Sequence, residues 1–187
     1  MVAPLIWIVG ACWAVFIIVW AITSLQVKTS VRRGLNSAGV LWRIGVLVFA
    51  VVLSRGVARG WIPRPTPFPH GVRLLGVALV ILGIGFAIWA RMTLGRNWGM
   101  PMTLREKPEL ITGGPYAFVR HPIYTGMIFA MIGTALTVGA WWFFIVVVAF
   151  GYFLISARQE ERDMVRHFPD AYPAYRARTK RLIPFVY

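Results

Sequence analysis

From residue 123 to residue 156 the chain runs for 34 positions without a charged side chain. A helix needs roughly 20 apolar residues to cross a hydrocarbon core about 30 Å thick, so this run is too long for one crossing and long enough for two. Its only break is Thr137-Val138-Gly139-Ala140, which predicts two helices joined by a very tight turn. Such a hairpin belongs in a bilayer, and composition agrees. The 187 residues are 58% hydrophobic and 14% aromatic, above the roughly 45–50% apolar content of a soluble domain.

Three further runs fit the same reading. Residues 4–25 are uncharged, residues 37–53 carry only Arg43, and residues 72–90 carry only Arg73. The expected fold is therefore all-α, a polytopic membrane protein with about five transmembrane helices and short cytoplasmic C-terminal helices. Residues 1–56 read as an N-terminal transmembrane hairpin. Residues 57–187 read as the third to fifth crossings with the cytoplasmic cofactor-binding segments, in one integrated domain. The first run has no basic residues ahead of it and no small-residue cleavage pattern behind it, so it is expected to remain as a helix. Cys12, alone in that run, excludes a disulfide framework.

Charge gives an orientation. Five crossings put the segments around Lys28, Arg32, Arg33 and Arg43, from Arg91 to Arg120, and from Arg158 onward on one side, with 16 of the 20 basic residues. Basic flanks mark the cytoplasmic side. The C-terminus is thus expected in the cytoplasm and the N-terminus outside, in a bacterial inner membrane. Trp141 and Trp142 fit an aromatic belt at the opposite interface. A net charge of +14 would suit nucleic acid, but these bases lie at membrane flanks, where topology and anionic lipid account for them. No nucleic-acid partner is expected.

The chemistry collects after residue 105, where all six acidic residues lie. In "GGPYAFVRHPIYTGM", residues 113–127, Gly113-Gly114-Pro115 predicts a turn, and Pro122 suits the first position of a helix, where its missing N–H costs nothing. The positive helix end and Arg120 together predict an anion site near the membrane surface. Glu160 and Glu161 lie one to two turns beyond the fifth crossing and should return beside Arg120, His121 and Tyr124. The pairing of an anion site with carboxylates suits a zwitterionic or phosphorylated nucleotide-like ligand, with Tyr116 and Tyr124 bracketing a ring or a cation. No spacing supports a metal site. "ARQEERDMVRHF" continues the fifth helix to Pro169. Asp170 then reads as the N-cap of a second helix, "AYPAYRARTKRL", folded back on the membrane surface by Tyr172, Tyr175 and Leu182.

The combination G-P-Y-x-x-x-R-H-P-x-Y, a downstream E-E pair and a terminal Y-x-x-Y…R-L-I-P resembles the isoprenylcysteine carboxyl methyltransferase family and its prokaryotic relatives, which are related to phospholipid methyltransferases. The resemblance covers roughly residues 85–187 and implies an integral membrane enzyme that moves a methyl group from S-adenosylmethionine to a lipophilic or membrane-associated carboxylate, amine or thiol. It implies Gly114, Tyr116, Arg120, His121, Pro122, Tyr124, Glu160 and Glu161 along the cofactor pocket, with Glu161, Arg91 and Arg158 in catalysis or substrate handling. Membrane sterol and enone reductases share an R-H-P-x-Y segment but use NADPH. A carboxylate pair suits the ammonium of a methyl donor and disfavours the extra phosphate of NADPH. A lipid-binding protein without enzymatic activity is the remaining alternative.

Overall fold

The computed structural model describes residues 3–24, 30–32, 48, 52, 55–56, 59–60, 68–95, 104–105 and 109–183. The helices defined there are α1 (Ala3–Ser24), α2 (His70–Leu94), α3 (Pro122–Val138), α4 (Trp142–His167) and α5 (Ala171–Arg178), with a 3-10 turn at Gly114–Ala117. α1, α2 and α4 are long and apolar enough to cross a membrane, and α3 is a shorter apolar helix of 17 residues. The expected second crossing, at residues 37–53, lies outside the described residues except for positions 48 and 52, as does most of the proline-rich loop after it. The all-α expectation holds. Two very short strands, β1 (Ser30–Arg32) and β2 (Leu104–Arg105), pair antiparallel.

α2 and α3 form the closest helix pair, and glycine is the reason. Gly76 and Gly83 on α2 face Gly133 and Gly126 on α3, so the backbones touch directly. A Cβ on Gly126 would stand 2.5 Å from the Gly83 carbonyl oxygen and 2.8 Å from the Ala87 nitrogen. Lipid tails are as apolar as the helices, so membrane helices associate through such close packing rather than through hydrophobic burial. At one end of the pair Arg73 Nε donates to the Thr137 carbonyl at 3.2 Å, and Thr137 Oγ1 donates back to the Arg73 carbonyl at 3.3 Å. A cation at the C-terminus of α3 also opposes its dipole.

α1 lies on this pair through Leu5, Val9 and Phe16, which meet Val77, Val80, Ile84 and Ala87. Trp13 Nε1 donates to Thr134 Oγ1 at 3.0 Å. The C-terminal ends of α1 and α2 meet at Arg91, whose Nη2 donates to the Thr23 carbonyl at 2.7 Å and whose Nη1 donates to the Gly95 carbonyl at 2.8 Å. The two helices thus end on the same side, as do the strands β1 and β2 that follow them. The rest of α1 is open, with Trp7 at 77% exposure, which suits a lipid-facing helix.

The tight hairpin read from the sequence is present. α3 ends at Val138, Gly139 adopts φ 150°, and α4 begins at Trp142. That φ is one a side chain rarely permits, so Gly139 fixes where the chain reverses. α4 runs beyond the apolar stretch to His167, and Pro169 follows its end. The tail departs from expectation in two respects. Asp170 stands at the N-cap of α5 but makes no side-chain capping bond, and the helix stops at Arg178. Tyr172, Tyr175 and Leu182 are buried at 3%, 3% and 1% exposure. The tail packs against the protein, where residues 179–182 find backbone and carboxylate partners.

Candidate functional site

The site forms where the 3-10 turn, the start of α3, the end of α4 and the C-terminal tail converge. Gly114 takes φ 58°, and a Cβ there would meet the Thr93 side chain at 3.2 Å, so the turn is built for glycine. It places Tyr116, which is 7% exposed. Tyr175 Oη reaches over from α5 and donates to the Tyr116 carbonyl at 2.6 Å. Pro122 opens α3, with His121 as its N-cap residue. Because α4 returns antiparallel beside α3, Glu160 and Glu161 come back to this end.

Residues 180–182 lie across the start of α3 as a strap. The backbone N–H groups of Arg120 and His121 donate to the carbonyls of Lys180 and Arg181 at 2.8 and 3.1 Å. Thr125 Oγ1 donates to the Leu182 carbonyl at 2.6 Å. The backbone donors expected to face an anion are thus bonded to the chain's own carbonyls at residues 120 and 121.

The two glutamates have different surroundings. Glu161, with 5% of its side chain exposed, accepts from Arg120 Nε at 2.9 Å, from Arg181 Nε at 2.9 Å and from Arg181 Nη2 at 3.0 Å. Arg120 Nη1 also donates to the carbonyls of Thr179 and Arg176. Glu161 is thus the knot between α4, α3 and the tail. Glu160 accepts from Tyr124 Oη at 2.5 Å, and its side chain is 25% exposed. His121 lies between them, with Nδ1 3.4 Å from Glu160 and Nε2 3.4 Å from Glu161. Its ring stacks on Tyr124 at 5.5 Å, and Tyr124 stacks on Phe153 at 4.8 Å, giving a slab of three rings beside Glu160.

Electrostatics follow from this packing. Burial by itself lowers the His121 pKa, but the hydrogen bonds and charges of Glu160 and Glu161 outweigh it, and the net direction is upward from 6.5. Burial, then the Glu160 charge, pushes the Tyr116 hydroxyl far up, so it stays protonated. A raised histidine pKa means that the folded state holds its proton more tightly than the unfolded chain. Its contribution to stability is complete below about 6.5 and is lost as pH rises through the folded-state value. The unfolding temperature in detergent is therefore expected to fall as pH is raised above 6.5, and less steeply in His121→Gln. Arg120 and Arg181 stay charged across that window; equal slopes in the two proteins would sink this assignment.

The structure thus brings together Tyr116, Arg120, His121, Pro122, Tyr124, Glu160 and Glu161, with Gly114 at the turn. Arg91 is 2% exposed and bonded to the carbonyls at the ends of α1 and α2, though its charge reaches the Tyr116 hydroxyl. Arg158 is exposed. Sequence reasoning missed Arg181, Phe153 and Thr125. Arg181 opens the terminal R-L-I-P motif, so a signal for it existed; the other two look like ordinary membrane-helix residues.

Comparison with known proteins now decides the family. A model of the phospholipid methyltransferase family matches residues 72–171, more than half of the chain and all of the site except the part the C-terminal tail contributes. The chain belongs to this family. The chain is 32% identical over 139 residues to a methanethiol S-methyltransferase of a Pseudomonas strain, covering 66% of this chain and 52% of that one. It is 31% identical over 117 residues to protein-S-isoprenylcysteine O-methyltransferase B of Arabidopsis thaliana, covering 59% and 58%. A nickel-cobalt-cadmium resistance protein, NccN, of Alcaligenes xylosoxydans xylosoxydans is 29% identical over 150 residues, covering 77% and 63%. The chain spans about half to two thirds of the length of these relatives. Among the described residues no three of His, Cys, Asp and Glu cluster as metal ligands would. The resemblance read from the sequence motifs holds.

Proposed function

We propose that this is an integral membrane methyltransferase that takes a methyl group from S-adenosylmethionine and gives it to a lipophilic acceptor. The observation that carries the reading is the part-exposed Glu160 carboxylate set beside the slab of His121, Tyr124 and Phe153, in a chain of the phospholipid methyltransferase family. A carboxylate suits the ammonium group of the donor, and aromatic faces suit its adenine ring or its sulfonium. Gly114, Tyr116, Arg120, His121, Pro122, Tyr124, Glu160 and Glu161 would hold it. When bound, the donor supplies an electrophilic methyl carbon whose sulfonium charge disperses as S-adenosylhomocysteine leaves.

The chain's own residues have three tasks in this reading. The Glu161 knot fixes the start of α3 against α4, so that Glu160 and the rings keep their relative positions. The strap and the buried Tyr172, Tyr175 and Leu182 exclude water from one flank. Glu160, bonded to Tyr124, is placed to accept a proton when the acceptor must lose one. The names of the relatives span a thiol and a carboxylate acceptor, and an amine completes the nucleophiles this chemistry serves. The site is proposed at the cytoplasmic face of a bacterial inner membrane, with donor arriving from water and acceptor from the bilayer. Calorimetry of the detergent-purified protein is expected to show binding of S-adenosylhomocysteine and none of NADPH.

A further inference from the structure

α4 presents one outward face along its whole length, and the chemistry of that face changes partway. At about 100° per residue, Phe144, Val147, Ile155, Arg158, Arg162 and Arg166 fall within one arc of about 100°, and all six are exposed. The first three are apolar and the last three are arginines. The acids of the same segment lie outside that arc and are used within the protein. Glu161 and Asp163 are buried, and Glu160 accepts from Tyr124. Cations and anions are thus sorted onto different faces of α4.

Depth and spacing give the arginines a partner. Trp142, where α4 begins, is a residue type that marks a membrane interface. Measured from it along the axis, Arg158, Arg162 and Arg166 stand at about 24, 30 and 36 Å. A hydrocarbon core about 30 Å thick ends among them, and a long arginine side chain at Arg158 reaches past its edge. Spacing of four residues sets these like charges side by side, which costs the helix stability unless anions compensate. Asp163 offsets only Arg166, at 3.4 Å and with the Arg166 side chain 71% exposed. The guanidinium fork matches a phosphate, and phosphates are the anions found at that depth.

We propose that the outer face of α4 is a binding surface for anionic phospholipid, with Arg158, Arg162 and Arg166 on the phosphates and Phe144, Val147 and Ile155 against the acyl chains. Arg162 lies about 160° around α4 from Glu160, so this lipid stands outside the candidate site and is not the methyl acceptor. The proposal holds independently of the methyl-transfer reading, and it gives Arg158 a lipid partner in place of a role in that site.

The test titrates the detergent-purified full chain with phosphatidylglycerol and, separately, phosphatidylcholine of the same acyl chains, counting bound lipids by native mass spectrometry. An arginine at an anionic surface contributes about fivefold in affinity. Phosphatidylglycerol is therefore expected to bind at least tenfold tighter than phosphatidylcholine, and the preference should shrink as salt is raised. Replacing Arg158, Arg162 and Arg166 together by glutamine should abolish the preference. Arg162→Gln alone, a single exposed change that leaves the rest of the stripe in place, should lower it about fivefold. Arg176→Gln with Arg178→Gln, which removes exposed charge from α5 instead, should leave it intact. Equal affinity for the two lipids in the parent, or an unchanged preference in Arg162→Gln and the triple variant, overturns the proposal. So does an equal loss in the α5 variant, which would show that net charge alone attracts the lipid.

Discussion

Glu161→Ala is expected to lower the stability of the folded protein by about 3–5 kcal/mol, the cost of removing one partner from a buried ion pair. The side chains of Glu161 and Arg120 are 5% and 8% exposed, so water cannot replace the lost carboxylate cheaply. Arg181 faces the same loss at 14% exposure. The second effect is local. With both arginines released, the strap at residues 180–182 loses its carboxylate anchor, though it keeps its backbone bonds to Arg120 and His121 and the Thr125 bond. Proteolysis should then cut the tail after α5 well before the membrane helices unfold, while the parent protein loses both together. Glu161→Gln, which keeps the shape and loses the charge, should fall between parent and alanine. A tail equally resistant in Glu161→Ala and the parent would show that the carboxylate is not the knot.

Gly133→Leu is expected to separate α2 from α3 and prevent the native packing, and Gly133→Ala to cost about 1–3 kcal/mol, the range for overpacking a filled core. A Cβ at this position would run into the Gly76 carbonyl and stand 2.8 Å from the Val80 nitrogen, both backbone atoms that cannot swing aside. Gly126→Ala meets the same obstacle nearer the site, against Gly83 and Ala87. Because Tyr124 lies only two residues before Gly126, a shift there should also weaken S-adenosylhomocysteine binding, whereas Gly133→Ala should act mainly on stability. Thermal unfolding in detergent and ligand titration of the two variants separate these effects. By contrast Gly85, which has open space around it, should accept alanine with little change.

The membrane hairpin was the most legible part of the sequence because its signals are local. An uncharged run, one glycine at the break and proline at a helix start define α3, α4 and their turn without any long-range information. The return of Glu160 and Glu161 to Arg120 and His121 followed from the same hairpin geometry. Less legible was the division of labour between the glutamates, because it depends on Arg181, which reaches Glu161 from 20 positions away in a tail that resembled an interfacial helix. Periodicity cannot distinguish a tyrosine facing lipid headgroups from one buried against a protein turn, as Tyr175 is against Tyr116. The role of Arg91 was also hidden, since binding to the carbonyls of Thr23 and Gly95 leaves no pattern in the sequence.

The central claim is that the start of α3 and the end of α4 together bind a methyl donor through Glu160 and the His121–Tyr124–Phe153 slab. Isothermal calorimetry of the detergent-purified protein tests it most directly, with S-adenosylhomocysteine and NADPH titrated separately into the parent and into Glu160→Gln. The account predicts saturable binding of S-adenosylhomocysteine, weakened at least tenfold in Glu160→Gln, and no heat from NADPH. Saturable NADPH binding without a response to S-adenosylhomocysteine would contradict it.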